Sequence, residues 1–312
     1  MFDFMGRRNW FFLLSAVIIG AGLIVLLLPM FGLRLGIDFT GGSMLEVRLS
    51  ERARPAEIKA VYAEASFPEA RVQTTGDATF VIRTRDMTSQ EKEAIKAALG
   101  AQFGDVTELR FEAVGPVVGG ELTSKAVIAV AAACVMISLY LWWAFRQVDQ
   151  AYRYGTCAII ALVHDVLVVL GVWAILGRVL GFEVDALFVT AILTVVGYSV
   201  HDTIVVFDRI RENFGRFPGE SFERVVNFSV NQTLDRSLNT SLTVIFTLAA
   251  LLLLGGVTIR EFVLVLLIGT ATGTYSSVFT ASTVLVIWEN GQLGRLFRRL
   301  TFRPAAPQEA GI

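Results

Sequence analysis

The chain has 312 residues, of which 54% are hydrophobic and 18% are charged, and its formal net charge is −1. A soluble globular protein carries about a quarter charged residues, so this composition indicates a membrane protein. A net charge near zero gives no indication of a nucleic-acid partner. Cys134 and Cys157 both lie in apolar stretches, a placement that does not support a disulfide framework.

Six apolar stretches are long enough to cross a bilayer, which takes about 20 helical residues. The predicted spans are about 10–30, 123–145, 155–176, 185–207, 234–256 and 261–288. The first stretch is too long for a signal peptide and lacks a small-residue cleavage site, so we expect a retained anchor. Arginines of the short loops concentrate on the side of the N-terminus, whereas Arg178 and Arg260 lie on the other side. This asymmetry predicts that both termini are cytoplasmic.

The segment between the first two spans reads as an exported α+β domain. Leu45, Val47 and Leu49 alternate with polar residues as in a strand, and Pro55 is placed to open a helix. Two further strands are expected around a turn at residues 76–77, and then a helix capped by Thr88 and Glu91. A last strand is expected where Leu109, Phe111 and Ala113 alternate with charged residues. The order βαββαβ is the ferredoxin-like pattern, which by itself names no function.

The predicted organisation is therefore an α-helical polytopic membrane protein with one inserted domain. Residues 1–35 hold the cytoplasmic N-terminus and the first helix, and residues 36–121 form the extracytoplasmic domain. Residues 122–290 form the remaining five-helix bundle, and residues 291–312 form a cytoplasmic tail.

Ionisable residues inside apolar spans are the candidate functional groups. His164 and Asp165 lie in the third span, His201 and Asp202 in the fourth, and Arg236 near the cytoplasmic end of the fifth. A charge at the centre of a membrane helix costs about 2.5–3.5 kcal/mol on insertion scales, so such groups face the bundle interior and tend to pair. Asp202 and Arg236 are at similar depth, which favours either a proton relay or a static ion pair. Asp165 and the two histidines are further relay candidates, or hydrogen-bonding groups alone.

Several motifs of soluble enzymes are not found in the sequence. It has no G-x-x-x-x-G-K-[ST] loop and no H-E-x-x-H, and Gly197–His201 does not match G-x-S-x-G. We therefore expect no catalytic chemistry, no cofactor and no metal. A stripe of small residues around Gly269 and Gly273 suits close helix contact, either within the bundle or against a second protein.

Five motifs along the chain match the pattern of a known family. The first motif is Gly-Ile-Asp-Phe-Thr-Gly-Gly at 36–42, which contains Asp38, Gly41 and Gly42. The others are 114–122 with Gly115 and Pro116, 161–166, 196–213 with Gly197, Asp208 and Arg209, and 231–241. Together with the six-span layout, they cover nearly the whole chain. They resemble the SecD/SecF family of membrane subunits that assist the Sec protein-export channel, and the six-span layout resembles its SecF branch.

The resemblance implies an accessory subunit that pairs with SecD and associates with the SecYEG channel in the bacterial inner membrane, with YajC as a further candidate partner. It implies that proton motive force helps to pull the translocating polypeptide outward. It also assigns proton passage to the family positions that fall on Asp202 and Arg236. This chain departs from the family pattern at His201, where Asn is common, and at Asp235, where Ser is expected.

Two other functions remain open at the level of sequence. The first is one half of a proton-coupled exporter of small molecules or lipids. The second is a non-transporting scaffold with a static ion pair. The coupling ion is either H⁺ or Na⁺, because hydroxyls at Thr194, Ser199 and Thr203 near an intramembrane carboxylate suit both.

Overall fold

A computed structural model describes residues 2–27, 32–76, 78–146, 150–256 and 259–291. The helices are α1 (Arg8–Leu27), α2 (Ile37–Thr40), α3 (Pro55–Glu64), α4 (Ser89–Phe103), α5 (Pro116–Ala144), α6 (Ala151–Val179), α7 (Ala186–Arg216), α8 (Phe222–Leu254), α9 (Arg260–Tyr275) and α10 (Ser282–Glu289). A π-helical segment, Ser276–Ala281, joins α9 to α10 without a break. The strands are β1 (Gly42–Leu49), β2 (Arg71–Gly76), β3 (Thr79–Thr84) and β4 (Val106–Val114).

Within the described residues, six helices are long and apolar enough to cross a membrane, as the sequence predicts: α1, α5, α6, α7, α8 and the continuous helix formed by α9, the π-helical segment and α10. The chain is therefore a multi-pass membrane protein. Several helices are longer than the predicted spans. The clearest case is α8, which begins at Phe222 rather than near 234. With 1.5 Å per residue, the 31 residues of α7 extend about 46 Å, well beyond the roughly 30 Å hydrocarbon layer that sets the apolar stretch.

The chain divides into two compact units. The first comprises Met1–Leu28, Ala133–Val172 and Ala191–Ile312, and it contains most of the membrane helices. The second comprises Pro29–Ala132 and Trp173–Thr190. Of the predicted tail at 291–312, residues 292–312 lie outside the described residues, and so does Asp77 of the predicted turn.

The second unit contains the predicted βαββαβ order, folded as an antiparallel sheet in the order β2-β3-β1-β4. Its core packs one face of the sheet against α3 and α4 and includes Leu45, Tyr62, Phe80 and Leu99. The Thr88–Glu91 capping box forms at the start of α4, as predicted.

Strand β4 is present, but its alternating sequence does not translate into alternating burial. Its pairing with β1 shifts register between Glu46 and Val47, so that Leu109 becomes the extra residue of a bulge. Leu109 is consequently 42% exposed, whereas Phe111 packs on the core.

Candidate functional site

The structure buries three of the predicted relay residues and exposes the other two. Asp165 is 1% exposed, Asp202 3% and His164 7%, all within the first unit. His201 and Arg236 are on the surface of the chain. The two aspartates and His164 therefore lie inside the bundle, while His201 and Arg236 lie at its boundary.

Asp165 on α6 lies at the centre of a hydrogen-bond network that joins four membrane helices. Its Oδ2 accepts hydrogen bonds from the hydroxyls of Ser199 on α7, at 2.5 Å, and Ser276 at the end of α9, at 2.7 Å. Its Oδ1 lies 3.0 Å from Nδ1 of His164. The Nε2 atom on the other side of that ring lies 3.0 Å from the hydroxyl of Ser15 on α1.

Asp202 on α7 belongs to a second network of hydroxyl groups. Ser241 on α8 donates to its Oδ2 at 3.4 Å. Ser241 in turn accepts from Thr274 on α9 at 2.6 Å and from Tyr198 on α7 at 3.1 Å. The carboxylate thus contacts the hydroxyl of Ser241, which is itself bonded to two further hydroxyls.

Thr203 and Ser277 form a further hydroxyl pair beside the Asp165 network. Their hydroxyls lie 2.9 Å apart, and Ser277 also donates to the backbone carbonyl of Ser199 at 3.0 Å. Ser276 and Ser277 are the first two residues of the π-helical segment. Wider π turns are rare and are often found at functional sites, and here one presents two successive hydroxyls to the network.

The ion pair expected between Asp202 and Arg236 is not formed. Among the described residues, no Arg or Lys nitrogen lies within 4.0 Å of the Asp202 carboxylate, although Arg236 and His201 are close enough to act on it electrostatically. The rotation of α8 explains the difference. It turns a stripe of small hydroxyl residues with four-residue spacing toward the interior, namely Ser229, Thr233, Ser237 and Ser241. Arg236 lies on another face.

Another face of α8 carries exposed polar residues, with Leu238, Leu242 and Phe246 exposed among them. The exposed polar residues are Asp235, Arg236, Asn239, Thr240, Thr243 and Thr247. On α7, Thr194, Gly197 and His201 are also exposed and are spaced three or four residues apart. A methyl group added at Gly197 would meet no atom within 4 Å, so this strip leaves room for another chain to approach closely. We call these residues of α7 and α8 the polar face.

The small-residue stripe of α9, by contrast, packs inside the bundle. A methyl group at Gly273 would lie 3.1 Å from Cβ of Ser199, and one at Gly269 would collide with the side chain of Val195. Of the two readings of this stripe, internal packing is therefore the one that the structure supports.

The remaining motif residues have mainly structural surroundings. Gly41 and Gly42 have φ angles of 71° and 125°, which favour glycine, and a methyl group at Gly41 would lie 2.8 Å from Cα of Pro116. Gly115 immediately precedes Pro116, the first residue of α5. Asp38 accepts a hydrogen bond from the backbone N–H of Ala186 at 2.8 Å.

Asp208 and Arg209, at the end of the long α7 motif, make local ion pairs. Asp208 pairs with Arg211 at 2.7 Å, and Arg209 pairs with Glu212 at 2.5 Å. These are one-turn contacts of a helix surface, which matches their interpretation as a polar helix end.

Sequence reasoning missed the hydroxyl partners Ser15, Ser241 and Ser276 as members of the site. Isolated hydroxyls in membrane helices commonly bond to their own backbone, as Ser138 does to the carbonyl of Cys134 at 2.7 Å. The four-residue stripe of α8 is a signal that could have identified Ser241.

Comparison with known proteins agrees with these motifs. Residues 94–291 match the family described as protein export membrane protein SecD/SecF, C-terminal, and residues 26–51 match the SecD/SecF GG motif. A protein named protein translocase subunit SecF from Thermobaculum terrenum is 51% identical over 98% of this chain and 100% of its own length.

Two longer relatives carry the name SecDF. The Bacillus subtilis protein translocase subunit SecDF is 33% identical over 93% of this chain, which spans 38% of that protein. The crystal structure of SecDF from Thermus thermophilus, described as a translocon-associated membrane protein, superposes with a TM-score of 0.82 at 33% identity. That match covers 93% of this chain and 39% of the SecDF chain. The chain belongs to the SecD/SecF family of protein export membrane proteins.

Proposed function

We propose that this chain is an accessory subunit of the Sec protein-export machinery that acts with SecD to couple proton motive force to outward movement of a translocating polypeptide. It resides in the inner membrane with both termini cytoplasmic and the sheet-containing domain outside. In this proposal, the chain works in an assembly with the SecYEG channel and YajC. The observation that carries the proposal is the state of Asp202, a buried carboxylate without an ion-pair partner among the described residues.

Burying an unpaired carboxylate is costly unless it is neutralised by a proton or a counter-ion. The direct polar partner of Asp202 among the described residues is the hydroxyl of Ser241, while Arg236 is close enough to act on the carboxylate electrostatically. We propose that a movement of α8 against α7 brings the arginine to the carboxylate in another state. Such an alternation between a protonated acid and an ion-paired carboxylate links proton uptake to helix movement, with His164 and Asp165 continuing the path.

The polar face supports a membrane-embedded partner. Charged and amide side chains cannot face lipid tails without a large cost, so another protein must cover them. SecD is the proposed occupant, because relatives that carry the name SecDF extend well beyond the part that this chain matches. A photo-crosslinking residue at Thr240 should capture SecD, whereas the same residue at Val135, an exposed apolar position of α5, should not.

Export into membrane vesicles tests the coupling directly. Asp202→Asn should abolish the stimulation of export by an imposed proton gradient while assembly with SecD is retained. Asp208→Asn provides the matched control, because it makes the same substitution on an exposed part of the same helix. Replacing the proton gradient by a sodium gradient identifies the coupling ion. Full stimulation in Asp202→Asn would refute the relay and leave a scaffold subunit.

A further inference from the structure

The His164–Asp165 pair is linked to α1 and α9 by hydrogen bonds whose directions can be assigned. The hydroxyl of Tyr275 donates to the backbone carbonyl of Phe11 at 2.8 Å, and a carbonyl can only accept. The single proton of Tyr275 is thereby used, so the hydroxyl of Ser15, 3.3 Å away, donates to the Tyr275 oxygen. The Ser15 oxygen must then accept from Nε2 of His164 at 3.0 Å.

These directions place a hydrogen on Nε2 of His164. Its Nδ1 faces Oδ1 of Asp165 at 3.0 Å, and two lone pairs cannot meet favourably at that distance. A second proton therefore lies between them, either on the imidazole or on the carboxyl group. In both cases the two side chains together carry no net charge, which is the favourable state inside a membrane.

We propose that His164 and Asp165 form one proton-binding site whose two protonation states are both accommodated by rotation of the Ser15 hydroxyl. In the loaded state Ser15 accepts from Nε2 and donates to Tyr275. When the Nε2 proton is released to water, Ser15 turns its own proton toward the Nε2 lone pair, and Nδ1–H remains bonded to the Asp165 carboxylate. Every polar atom of the group keeps a partner in the loaded state, and only the oxygen of Tyr275 loses a donor in the other.

The described polar neighbours of this pair are mostly hydroxyl groups. From α9, Tyr275 is the titratable neighbour, and its ring stacks on that of His164 with centroids 6.1 Å apart. From α7, Ser199 faces Asp165, while Asp202 one turn further along bonds to Ser241 on α8. From α1, Ser15 is the contact, and Arg8 of that helix is paired with Glu223. This site adds a second proton-binding group to the proposed function. It rests on that function only for the assumption that proton binding drives export.

Histidine nitrogen NMR measures the state directly, because the chain contains only two histidines. The full-length protein is labelled with ¹⁵N-histidine in lipid nanodiscs, and a His201→Gln variant assigns the remaining signal to His164. The expected result is a conversion from an Nε2–H or doubly protonated ring at low pH to an Nδ1–H ring at high pH. An unchanged tautomer across the range, or an Nε2–H ring at high pH, would overturn the proposal.

Tyr275→Phe and Ser15→Ala provide the decisive comparison. Tyr275→Phe removes the acceptor that Ser15 uses only in the loaded state, so the share of the Nδ1–H form should rise roughly five- to tenfold at a pH where both forms are populated. In a Ser15→Ala background the same substitution should have no effect, because no hydroxyl remains to rotate. An equal effect in both backgrounds would assign the change to packing and refute the proposal.

These measurements involve no export assay, so the two proposals fail separately. If His164 exchanges tautomers but the Asp202→Asn variant still responds to the proton gradient, the His164–Asp165 site is supported and the coupling role of Asp202 is refuted. If His164 keeps one tautomer but Asp202→Asn loses the response, only the His164–Asp165 proposal is refuted.

Discussion

The carboxylate of Asp38 caps a helix that begins 148 residues later, through a 2.8 Å hydrogen bond from the backbone N–H of Ala186. Asp185, the residue just before α7, caps the same turn because its side chain accepts a hydrogen bond from the backbone N–H of Phe188 at 2.7 Å. Burial, together with the nearby charge of Asp38, raises the pKa of Asp185. A motif residue that follows the first span thus holds the start of the helix that carries Asp202.

Asp38→Ala should reduce the free energy of unfolding by about 1 kcal/mol, the usual cost of removing a helix cap. Asp38→Asn retains an oxygen acceptor, so it should retain most of that stability. Thermal or denaturant unfolding of the full chain in detergent measures both. Equal losses in the two variants would show that the charge of Asp38, rather than its hydrogen bond, is what matters.

Glu108 provides a test of pH dependence in the sheet-containing unit. Hydrogen bonds from Lys96, at 2.8 Å, and Lys92, at 3.0 Å, hold its pKa below the ordinary value. A lowered folded-state pKa contributes stability above the unfolded value of about 4.3, and this contribution is lost as pH falls through the folded value. Because these side chains are partly solvated, Glu108→Gln should cost under about 1 kcal/mol at pH 7 and nothing once the pH is below the folded-state pKa of Glu108.

The control for that experiment is Glu64→Gln, at an exposed position near the end of α3. This substitution should not change how the free energy of unfolding decreases at acidic pH. A Glu108→Gln curve parallel to the wild-type curve at every pH would contradict the assignment.

The pair Arg83–Glu183 should respond to pH in the opposite sense. Its atoms are 2.9 Å apart, and the two side chains are only 20% and 16% exposed. Burial raises the pKa of Glu183, while Arg83 counteracts that effect. Arg83→Met leaves a largely buried carboxylate unpaired, which should destabilise the protein by roughly 2–4 kcal/mol at pH 7.

That loss should shrink as the pH is lowered toward 5, because the pKa of Glu183 rises further without Arg83 and a larger fraction of the carboxyl group is then protonated. Unfolding at the two pH values, with Glu183→Gln added to Arg83→Met, isolates the carboxylate. If the double variant shows the same pH dependence as Arg83→Met, Glu183 is not the responsible group.

Particular residues show what sequence could and could not predict. Asp165 and Asp202 were identifiable because a carboxylate in an apolar helix has few alternatives to the bundle interior. The ion pair of Arg236 with Asp202 was not predicted correctly. The sequence shows how deep Arg236 lies along α8, but it does not show which face of the helix carries the side chain. The rotation of α8 is set by the small-residue stripe that ends at Ser241 and packs toward α7 and α9.

Ser15 and Ser276 could not be assigned for a different reason. Their roles depend on where α1 crosses α6 and on the extra residue of the π-helical segment, and neither follows from local pattern. The sheet-containing domain was predicted well because its strands and helices each carry a complete local signal. The exception is Leu109, where a bulge against β1 overrides the alternation.

Arg236→Gln should leave the stability of the isolated chain unchanged to within about 0.5 kcal/mol, because an exposed side chain away from special features contributes little. The same substitution should weaken assembly with SecD or abolish gradient-stimulated export, since we propose that SecD covers the polar face in the complex. Unfolding of the isolated chain and co-purification with SecD separate the two effects. A large loss of stability in the isolated chain would mean that Arg236 is part of the bundle interior.

Gly22 and Gly171 determine whether Ser15 can reach His164. The two glycines bring α1 and α6 into backbone contact, and a methyl group on Gly22 would lie 2.7 Å from Cα of Gly171. Gly22→Ala should therefore push the helices apart and destabilise the protein by about 1–3 kcal/mol, despite the better helix propensity of alanine. Two residues earlier, a methyl group on Gly20 meets nothing within 4 Å.

Gly20→Ala is consequently the matched control, and it should be neutral or stabilising by up to about 1 kcal/mol. Unfolding measures the difference between the two variants, and ¹⁵N-histidine spectra report whether the contact between Ser15 and Nε2 of His164 is lost in Gly22→Ala alone. Since Ser15 lies two helical turns from Gly22, a helix that moves at the glycine also moves the hydroxyl. Unchanged spectra together with a loss of stability would show that α1 pivots about Ser15, so that its contact with His164, rather than the glycine pair, fixes the position of the first helix.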